Sequence, residues 1–418
     1  MSLPSLRVNI FSLGIIQIAN YGIPLLILPY FIRTLGSKAY GEVVFIQTVM
    51  VFGGFLVEFG FNWSATRKIS ECRFDINRVS RIFSNTWFAQ WLISASFAAL
   101  LVILSIFFFE LQQRSALYLV GFGMIVGQVL FPAWLFQGLE ALRAAAIIQF
   151  LGKLSAIPIA LLFVNNSDDR IWALFFYAAS NILTGGISLL WLAHNRMIKW
   201  VHPNKAEIFQ TIRSGALLFF SRISTNISMA LMPLAVGAWA DATQLAYFSV
   251  SEKIRNVIQS LLAPISQALF PRMILLFSTD RRAAYSLLKK SGLYTLLISG
   301  LIGLSVWLLS EWIMVTLGGD NFSEGAEVLR WMAFLPFASS LTNFFGVQIM
   351  LPLGMNKIFS SILTTSSVVV LFVAYPTIKA YAAVGAAQLV FYIECCVAIL
   401  MGIIIFRKLH GEIQDWSS

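Results

Sequence analysis

The chain has 418 residues, of which 58% are hydrophobic and only 11% are charged, and its mean hydropathy is +0.80. A soluble protein of this length carries roughly 25% charged residues, so the composition excludes a soluble globular protein. The apolar runs are longer and more continuous than the alternating strands of a membrane β-barrel. We therefore expect an all-α integral membrane protein.

Twelve apolar segments are long enough to cross the membrane as helices, which requires about 20 residues for ~30 Å of hydrocarbon. The first follows Met1 closely and has no cleavage-site pattern, so we interpret it as a helix and not as a signal peptide. The predicted spans are 9–31, 42–63, 82–109, 116–136, 145–164, 171–194, 215–239, 244–271, 291–317, 331–352, 358–377 and 381–406.

Basic residues are distributed unevenly between the connections of these spans. With the N-terminus in the cytoplasm, 19 of the 29 Lys and Arg residues fall in cytoplasmic connections and six on the opposite side. Cytoplasmic loops of membrane proteins are enriched in Lys and Arg, so this pattern predicts that both termini are cytoplasmic. It also accounts for most of the net charge of +10 without a nucleic-acid partner.

Sequence motifs for catalysis or metal binding are missing. The three cysteines, Cys72, Cys395 and Cys396, give neither a disulfide framework nor a zinc-ligand spacing. The chain has no phosphate-binding G-x-x-x-x-G-K-[ST] loop and no H-E-x-x-H sequence. The longest polar connections, 64–81, 195–214 and 272–290, are too short for a catalytic domain. We expect a function within the membrane, with no cofactor and no metal.

The two halves of the chain resemble each other weakly. AYGEV at Ala39 matches AYFSV at Ala246 with an offset of 207 residues. Matching Gly138 of FQGLEALR to Gly354 of LPLGMNK gives an offset of 216. Six helices in each half would give both halves the same orientation, with a substrate site near the midplane between them. We predict two pseudo-symmetric six-helix bundles, residues 1–206 and 207–418.

Four basic residues fall inside the predicted spans: Lys153, Arg222, Lys253 and Arg255. At 1.5 Å per residue, Lys153, Arg222 and Arg255 lie about 12–14 Å from the cytoplasmic ends of their helices. A lone cation at that depth costs ~2.5–3.5 kcal/mol to insert, so these side chains should face water or a partner. Asn226 and several hydroxyls beside Arg222 suit a phosphate or a sugar. We predict substrate-binding roles for Arg222, Lys253, Arg255, Lys153 and Asn226.

Internal pairing is the alternative for each of these cations. Glu252 and Arg255 are three residues apart on a helix and can pair. Glu394 could pair with Lys153, Lys253 or Arg222, and long basic side chains can also extend toward the membrane surface. Four cations against three acids in the spans, with Glu58 the third acid, should leave at least one positive charge for an anion.

Other residues of the spans indicate helix packing. Gly123 and Gly127, four residues apart, are typical of two helices in close contact. Gln17 and Asn20 lie on one stripe of the first span, where hydrogen bonds between helices are expected. The eighth span is too polar for packing alone, since Glu252, Arg255 and Gln259 share one of its faces.

Four longer segments resemble a known family: PYFIRTLGSKAYGEVVFIQTV, FPAWLFQGLEALRAAAIIQFLGKL, SEKIRNVIQSLLAPISQALFPRM and GVQIMLPLGMNK. They are similar to the polysaccharide transporters of the multidrug/oligosaccharidyl-lipid/polysaccharide (MOP) superfamily, and most of all to bacterial O-antigen flippases of the Wzx type. The resemblance extends over nearly the whole chain. It implies two six-helix bundles in a V around a central cavity that opens alternately to each side of the membrane.

The resemblance also implies an activity, which is to move an undecaprenyl-pyrophosphate-linked oligosaccharide from the cytoplasmic to the periplasmic leaflet of the bacterial inner membrane. The basic cavity matches the anionic pyrophosphate. Members couple transport to protons or sodium, and Glu394 or Glu252 could be the coupling carboxylate, with a permanent salt bridge as the alternative. Implied partners are the lipid-linked oligosaccharide, membrane lipids, and the polysaccharide polymerase and chain-length machinery.

Several rival functions stay open at this point. A drug or organic-cation antiporter of the same superfamily would need an acidic cavity. A lipid II flippase would be expected to have two further helices. From a different class, a membrane glycosyltransferase or O-antigen polymerase would form product without leaflet movement, and a structural scaffold is disfavoured by the buried charges.

Overall fold

The computed structural model describes residues 22–415, and within the helices the side chains at 23, 110, 217, 218, 220–230, 265, 267, 268 and 409–415 are outside the description. The described residues are almost entirely helical and contain no strand, which confirms the predicted all-α membrane fold. The helices are α1 (Ile23–Glu58), α2 (Phe61–Cys72), α3 (Ile76–Phe107), α4 (Phe109–Gln113), α5 (Ser115–Leu130), α6 (Ala133–Gly138), α7 (Leu142–Phe163), α8 (Arg170–His194), α9 (Lys205–Trp239), α10 (Ala242–Thr279), α11 (Arg281–Leu308), α12 (Ser310–Gly318), α13 (Gly325–Ala333), α14 (Leu335–Thr342) and α15 (Asn356–Asp415).

Eight helical segments of the described residues are long and apolar enough to cross a membrane, or nine if the bent pair within 242–279 is one span. Two of them, 24–72 and 356–408, are 49 and 53 residues long. At 1.5 Å per residue, each would reach more than twice the ~30 Å of a hydrocarbon core as one straight helix. Both are broken, the first at Gly36 and at Phe59–Gly60, the second at Ala382. The predicted count of twelve spans stays a prediction.

The contacts divide the chain into two compact units, with the boundary between Ile223 and Ser224 inside α9. The sequence-based division at residue 206 falls earlier in the same helix. In the first unit, a buried cluster that includes Phe61, Phe83 and Trp134 packs α2, α3 and α6 together. In the second unit, a cluster around Met350 and Met401 packs the segment before α15 against α15.

Glycines bring the helices of the first unit into direct contact. A Cβ atom at Gly127 of α5 would collide with the backbone of Asn181 in α8, which confirms the close packing predicted for this glycine. A Cβ atom at Gly123 would lie 2.8 Å from the Cβ of Ala178. On α7, a Cβ atom at Gly152 would lie 2.6 Å from the Cα of Thr184. These approaches place the polar side chains of α5, α7 and α8 next to one another.

Polar contacts fasten both ends of the first unit. At one end, the Tyr30 hydroxyl donates to the Val164 carbonyl oxygen at 2.7 Å, and Arg170 of α8 pairs with Glu42 of α1. At the other end, Arg81 of α3 pairs with Glu207 of α9. The connection between α8 and α9 is thereby fixed to the start of α3, and the Lys199 backbone amide donates to the hydroxyl of Ser80 at 2.8 Å.

Candidate functional site

A polar cavity of about 330 Å³ lies inside the first unit, and we call it the N-terminal chamber. Its walls come from α1, α2, α3, α5, α6, α7 and α8, so most of the helices of this unit contribute to it. Its polar lining residues are Glu58, Asn62, Gln90, Gln128, Gln149, Lys153, Asn181 and Thr184. Eight polar side chains around one cavity are far more than apolar helix packing requires, so the lining can accommodate water or another polar molecule.

The bend between α1 and α2 forms one wall of the chamber. Phe59 and Gly60 both have left-handed backbone angles, with φ of 39° and 74°. This sharp bend places Glu58 and Asn62, on either side of it, at the same cavity. The left-handed region is costly for a non-glycine residue, and such strain tends to occur at functional sites.

Hydrogen bonds hold two of the amide side chains of the chamber, Gln128 and Gln90, in place. The Gln128 Nε2 donates to the Gly54 carbonyl oxygen at 3.2 Å and to the Glu58 carboxylate at 3.3 Å. The Trp134 indole donates to Gln90 Oε1 at 3.2 Å. These partners fix the orientation of both amides at the chamber wall.

The structure brings Lys153 into this chamber, where it lies half-buried on α7 together with Gln149 one turn earlier. The sequence singled out Lys153 as a membrane cation, and Glu58 is the carboxylate among the lining residues of the same chamber. One lysine and one glutamate give the chamber no net formal charge. The lysine is surrounded by amide and hydroxyl groups that can donate to and accept from an uncharged polar ligand.

In the second unit, Glu252 and Arg255 lie close together on α10. The Arg255 Nη2 is 3.8 Å from a Glu252 carboxylate oxygen and donates to Asn256 Oδ1 at 2.6 Å. Arg255 is 13% exposed, and its buried Nε has no hydrogen-bond partner among the described residues. The internal pairing considered from the sequence therefore exists for this arginine, although the ion pair is long and the Nε donor has no acceptor in the part of the chain that the structure describes.

A smaller polar pocket of about 60 Å³ follows one turn further along α10, and we call it the C-terminal pocket. Its polar lining residues are Gln259, Ser266, Ser291, Thr295, Ser339, Ser340, Asn343 and Gln348. The Ser266 hydroxyl donates to Asn343 Oδ1 at 2.7 Å, and Gln348 Nε2 donates to the Ser266 carbonyl oxygen at 3.0 Å. Among the described residues, the buried Oε1 atoms of Gln259 and Gln348 accept no hydrogen bond.

The helix that carries Asn343 and Gln348 is a π-helix, Asn343–Met350. π-helical turns are rare and frequently occur at functional sites, because the wider turn re-aims side chains that an α-helix would distribute differently. Here the π-helix places Asn343 and Gln348 on the same serine of α10. The pocket lies next to the polar face of α10 that begins with Glu252 and Arg255.

The remaining site residues predicted from the sequence have separate positions. Lys253 is half-buried on α10, and Glu394 is half-buried on α15 beside Cys395. The side chains of Arg222 and Asn226 on α9 lie outside the described residues, as do Gln17 and Asn20. Among the described residues, no group of three His, Cys, Asp or Glu side chains is arranged to hold a metal ion.

Sequence reasoning singled out Gln259 of the C-terminal pocket but missed the other amide residues of the two cavities. Gln90, Gln128, Gln149 and Asn181 are uncharged, and a search for membrane charges passes over them. The sequence did contain an indication of their role, since each of these polar residues interrupts an otherwise apolar span. The C-terminal pocket gave a weaker signal, because it consists mainly of serines and threonines that commonly bond to their own helix.

Comparison with known proteins identifies the family. A family model described as "Polysaccharide biosynthesis protein" matches residues 6–277, about two thirds of the chain. The chain belongs to this family. A protein of Escherichia coli (strain K12) named "Putative O-antigen transporter" is 30% identical over 398 residues, which are 95% of this chain and 96% of that protein. A protein of Shigella dysenteriae with the same name is 26% identical over 95% of this chain and 99% of its own length.

Solved structures of the MOP superfamily share the fold at low sequence identity. An inward-facing multidrug resistance MATE transporter aligns with a TM-score of 0.69 and 12% identity, over 95% of this chain and 99% of its own. The lipid II flippase MurJ aligns with a TM-score of 0.68 and 13% identity, over 96% of this chain and 87% of its own. The predicted resemblance to the polysaccharide transporters of this superfamily is confirmed, and these relatives and neighbours are transporters and flippases, not enzymes.

Proposed function

We propose that the chain is a flippase that moves a lipid-linked oligosaccharide, the O-antigen repeat unit on undecaprenyl pyrophosphate, from the cytoplasmic to the periplasmic leaflet by alternating access. The two relatives named as O-antigen transporters support the proposal, as does the fold shared with a lipid II flippase. The structural observation that carries it is the N-terminal chamber, where Lys153 and seven other polar side chains surround a cavity within apolar helices.

The chemistry of the chamber suits a saccharide. Asparagine and glutamine amides donate and accept at once, as sugar hydroxyls do, so Gln90, Gln149 and Asn181 can replace the hydration of a sugar inside the membrane. An apolar drug would leave these amides without partners, which costs roughly 1–3 kcal/mol for each group that stays unsatisfied. The amide-rich lining, with no net formal charge, thus favours a glycan over an apolar drug.

The anionic end of the cargo requires cations, and we assign this role to the basic residues predicted from the sequence, Lys153, Lys253, Arg255 and Arg222. Asn226, four residues after Arg222 on α9, is assigned to the same role. Arg255 keeps a buried Nε without a partner among the described residues, and a phosphate oxygen is a suitable acceptor for it. The ion pair of Arg255 with Glu252 is 3.8 Å long, so a phosphate can compete with that carboxylate. Either Glu252 or Glu394 would carry the coupling proton or sodium ion.

The location and partners of the protein follow from the same proposal. The flippase would lie in the bacterial inner membrane with both termini cytoplasmic, where 19 of its 29 basic side chains would meet the anionic inner leaflet. Its product would be used on the periplasmic side by the polysaccharide polymerase and chain-length machinery. Movement of the glycan through this chain would need no covalent chemistry.

A flipping assay in vesicles tests the proposal. Purified protein is reconstituted with a fluorescent polyprenyl-pyrophosphate saccharide in both leaflets, and a membrane-impermeant quencher reports how fast the inner-leaflet pool becomes accessible. Wild type should give protein-dependent quenching, and Lys153→Gln should slow it by at least tenfold, since Lys153 faces the chamber. The matched control is Lys379→Gln, an exposed lysine on α15 outside both cavities.

Two results would contradict the proposal. One is wild-type protein that leaves the inner-leaflet pool inaccessible under every ion gradient while it accumulates a cationic dye. The other is a change in the saccharide chain length without leaflet movement, which would indicate a polymerase.

A further inference from the structure

A second large cavity of the first unit opens at the helix ends opposite to Tyr30 and Val164, and we call it the basic groove. Its volume is about 870 Å³. Its walls are the connection between α2 and α3, the turn between α6 and α7, the outer face of α7 and the end of α8. The wall residues are mainly apolar and include Phe74, Ile147, Ile148, Leu151, Ile187 and Trp191. A cavity of this size and lining suits one or two acyl chains.

Three arginines and one glutamate line the same groove. Arg73 Nη1 bonds the Glu140 carboxylate at 2.6 Å, and its guanidinium lies 4.9 Å from the ring of Phe74. Arg143 and Arg196 are exposed and form no ion pair with any acid in the part of the chain that the structure describes. The groove therefore has a formal charge of +2 at its rim, beside an apolar floor. This is the charge pattern of a site for an anionic amphiphile.

Two of these four charged residues, Glu140 and Arg196, have unusual backbone angles. Glu140 has φ of 56° and Arg196 has φ of 51°, in a region that L-residues other than asparagine seldom occupy. Each follows the end of a helix, and the next residue donates its amide back to a carbonyl five residues earlier, Ala141 to Phe136 and Met197 to Leu192. Glycine is the usual residue at this position of such a helix end. In this protein the position is taken by charged residues, Glu140 and Arg196, and both line the basic groove.

The groove lies on the opposite face of α7 from the N-terminal chamber. At 3.6 residues per turn, Ala144, Ile147, Ile148 and Leu151 cluster on a side of α7 that is about 170° away from Gln149 and Lys153. A molecule in the groove is therefore separated from the chamber by the whole width of a helix. This separation distinguishes a lipid that resides in the groove from the cargo that the chamber would receive.

We propose that the basic groove is a binding site for an anionic phospholipid, whose phosphate lies between Arg143 and Arg196 and whose acyl chains cover the apolar floor. Arginine binds phosphate with a planar fork of two donors, which suits a single phosphodiester. The Arg73–Glu140 pair closes one side of the head-group position and leaves the other two arginines for the lipid. The site does not depend on what the protein transports.

A lipid-dependent thermal shift tests the site. Delipidated protein in detergent is titrated with dioleoyl phosphatidylglycerol or with dioleoyl phosphatidylcholine, and the lipid concentration that gives half of the stabilisation is compared. Wild type should prefer the anionic lipid, and R143Q/R196Q should weaken that preference about 25-fold, since each arginine near a phosphate contributes a factor of about five. The matched control is K199Q/K205Q, which removes the same charge from exposed residues outside the groove.

A second variant tests the apolar floor of the groove and leaves the arginines at its rim unchanged. Ile147→Trp, at a side chain that is 41% exposed in the groove, should exclude an acyl chain and reduce the anionic lipid retained in native mass spectrometry by at least tenfold. Leu162→Trp is its control, because Leu162 is 68% exposed on the same helix but outside the groove.

Three results would overturn the inference. Equal stabilisation by the two phospholipids would remove the anionic selectivity, and an unchanged preference in R143Q/R196Q would remove the site. Displacement of phosphatidylglycerol by an equimolar polyprenyl pyrophosphate, lost in R143Q/R196Q, would make the groove a cargo site. None of these results depends on the flipping assay, so the phospholipid site and the flippase proposal can fail separately.

Discussion

Glu140 and Gly354 occupy the same position in two matching turns, 214 residues apart in the chain. Both have left-handed backbone angles, with φ of 56° and 75°. In each turn the next residue donates to the carbonyl five residues earlier at 2.8–2.9 Å, Ala141 to Phe136 and Met355 to Met350. The following helices, α7 and α15, also begin 214 residues apart. In the predicted internal repeat, this correspondence would align Glu140, rather than Gly138, with Gly354.

This relationship predicts that Glu140 costs stability at a position where its counterpart is glycine. Glu140→Gly should be about 1 kcal/mol more stable than Glu140→Ala, because only glycine adopts the left-handed region without steric cost. Both variants lose the half-exposed ion pair with Arg73, which contributes about 0–1 kcal/mol, so their difference isolates the backbone. Thermal unfolding in detergent measures it. Gly354→Ala should lower the stability by a similar amount. Equal stability of the two Glu140 variants would show that the backbone at Glu140 is not strained.

Glycine contacts around the N-terminal chamber give a second prediction. Gly152→Ala should destabilise the protein by about 1–3 kcal/mol, since the new methyl group would overlap Thr184 on the facing helix. Gly186→Ala is the matched control, because a Cβ atom there meets no atom within 4 Å. The control should be neutral or slightly stabilising, as alanine favours a helix more than glycine does. Thermal unfolding of both purified variants checks this, and equal losses would show that α7 and α8 are not in tight contact.

The C-terminal pocket gives a third prediction. Gln348→Leu removes the amide that donates to the carbonyl oxygen and the hydroxyl of Ser266, and it should destabilise the protein by about 1–2 kcal/mol. Ser266→Ala should cost less, because Gln348 keeps its bond to the Ser266 backbone carbonyl. The double variant should cost clearly less than the sum of the two single variants, since both act on one hydrogen-bond network. Additive losses in thermal unfolding would show that the π-helix is held by other contacts.

The sequence predicted the membrane fold, the family and the positions of most helices, because apolar length is a strong and local signal. The predicted connection 32–41 contains the break at Gly36, and the predicted connection 378–380 ends two residues before the break at Ala382, but the sequence did not predict the bend at Phe59, which lies inside the predicted span 42–63. Phe59 has a left-handed backbone, with φ of 39°, which its residue type does not indicate. In the same way, Lys153 was visible as a charge, whereas its neighbour Asn181 became part of the chamber only through the close approach of α5 and α8.

The ion pair of Glu252 and Arg255 provides a test that separates stability from transport. If Arg255 serves only as the partner of Glu252, removing one charge should destabilise the protein, and removing both should restore both stability and export. We propose instead that Arg255 also binds the cargo. In that case Arg255→Gln should lose surface polysaccharide export by at least tenfold, and Arg255→Gln/Glu252→Gln should recover its thermal stability without recovering export.

The expected separation rests on the buried Nε of Arg255, which has no hydrogen-bond partner among the described residues while Nη2 contacts both Glu252 and Asn256. An arginine that only balanced a charge would gain nothing from an unused donor in a low-dielectric interior, where such a group is costly. The measurement is export in cells that lack their own flippase, with protein levels and melting temperatures determined for every variant. Arg255→Lys refines the result: it keeps the charge near Glu252 but lacks the planar fork, so it should retain stability and still export poorly. Full export in the double variant would show that Arg255 does not contact the cargo.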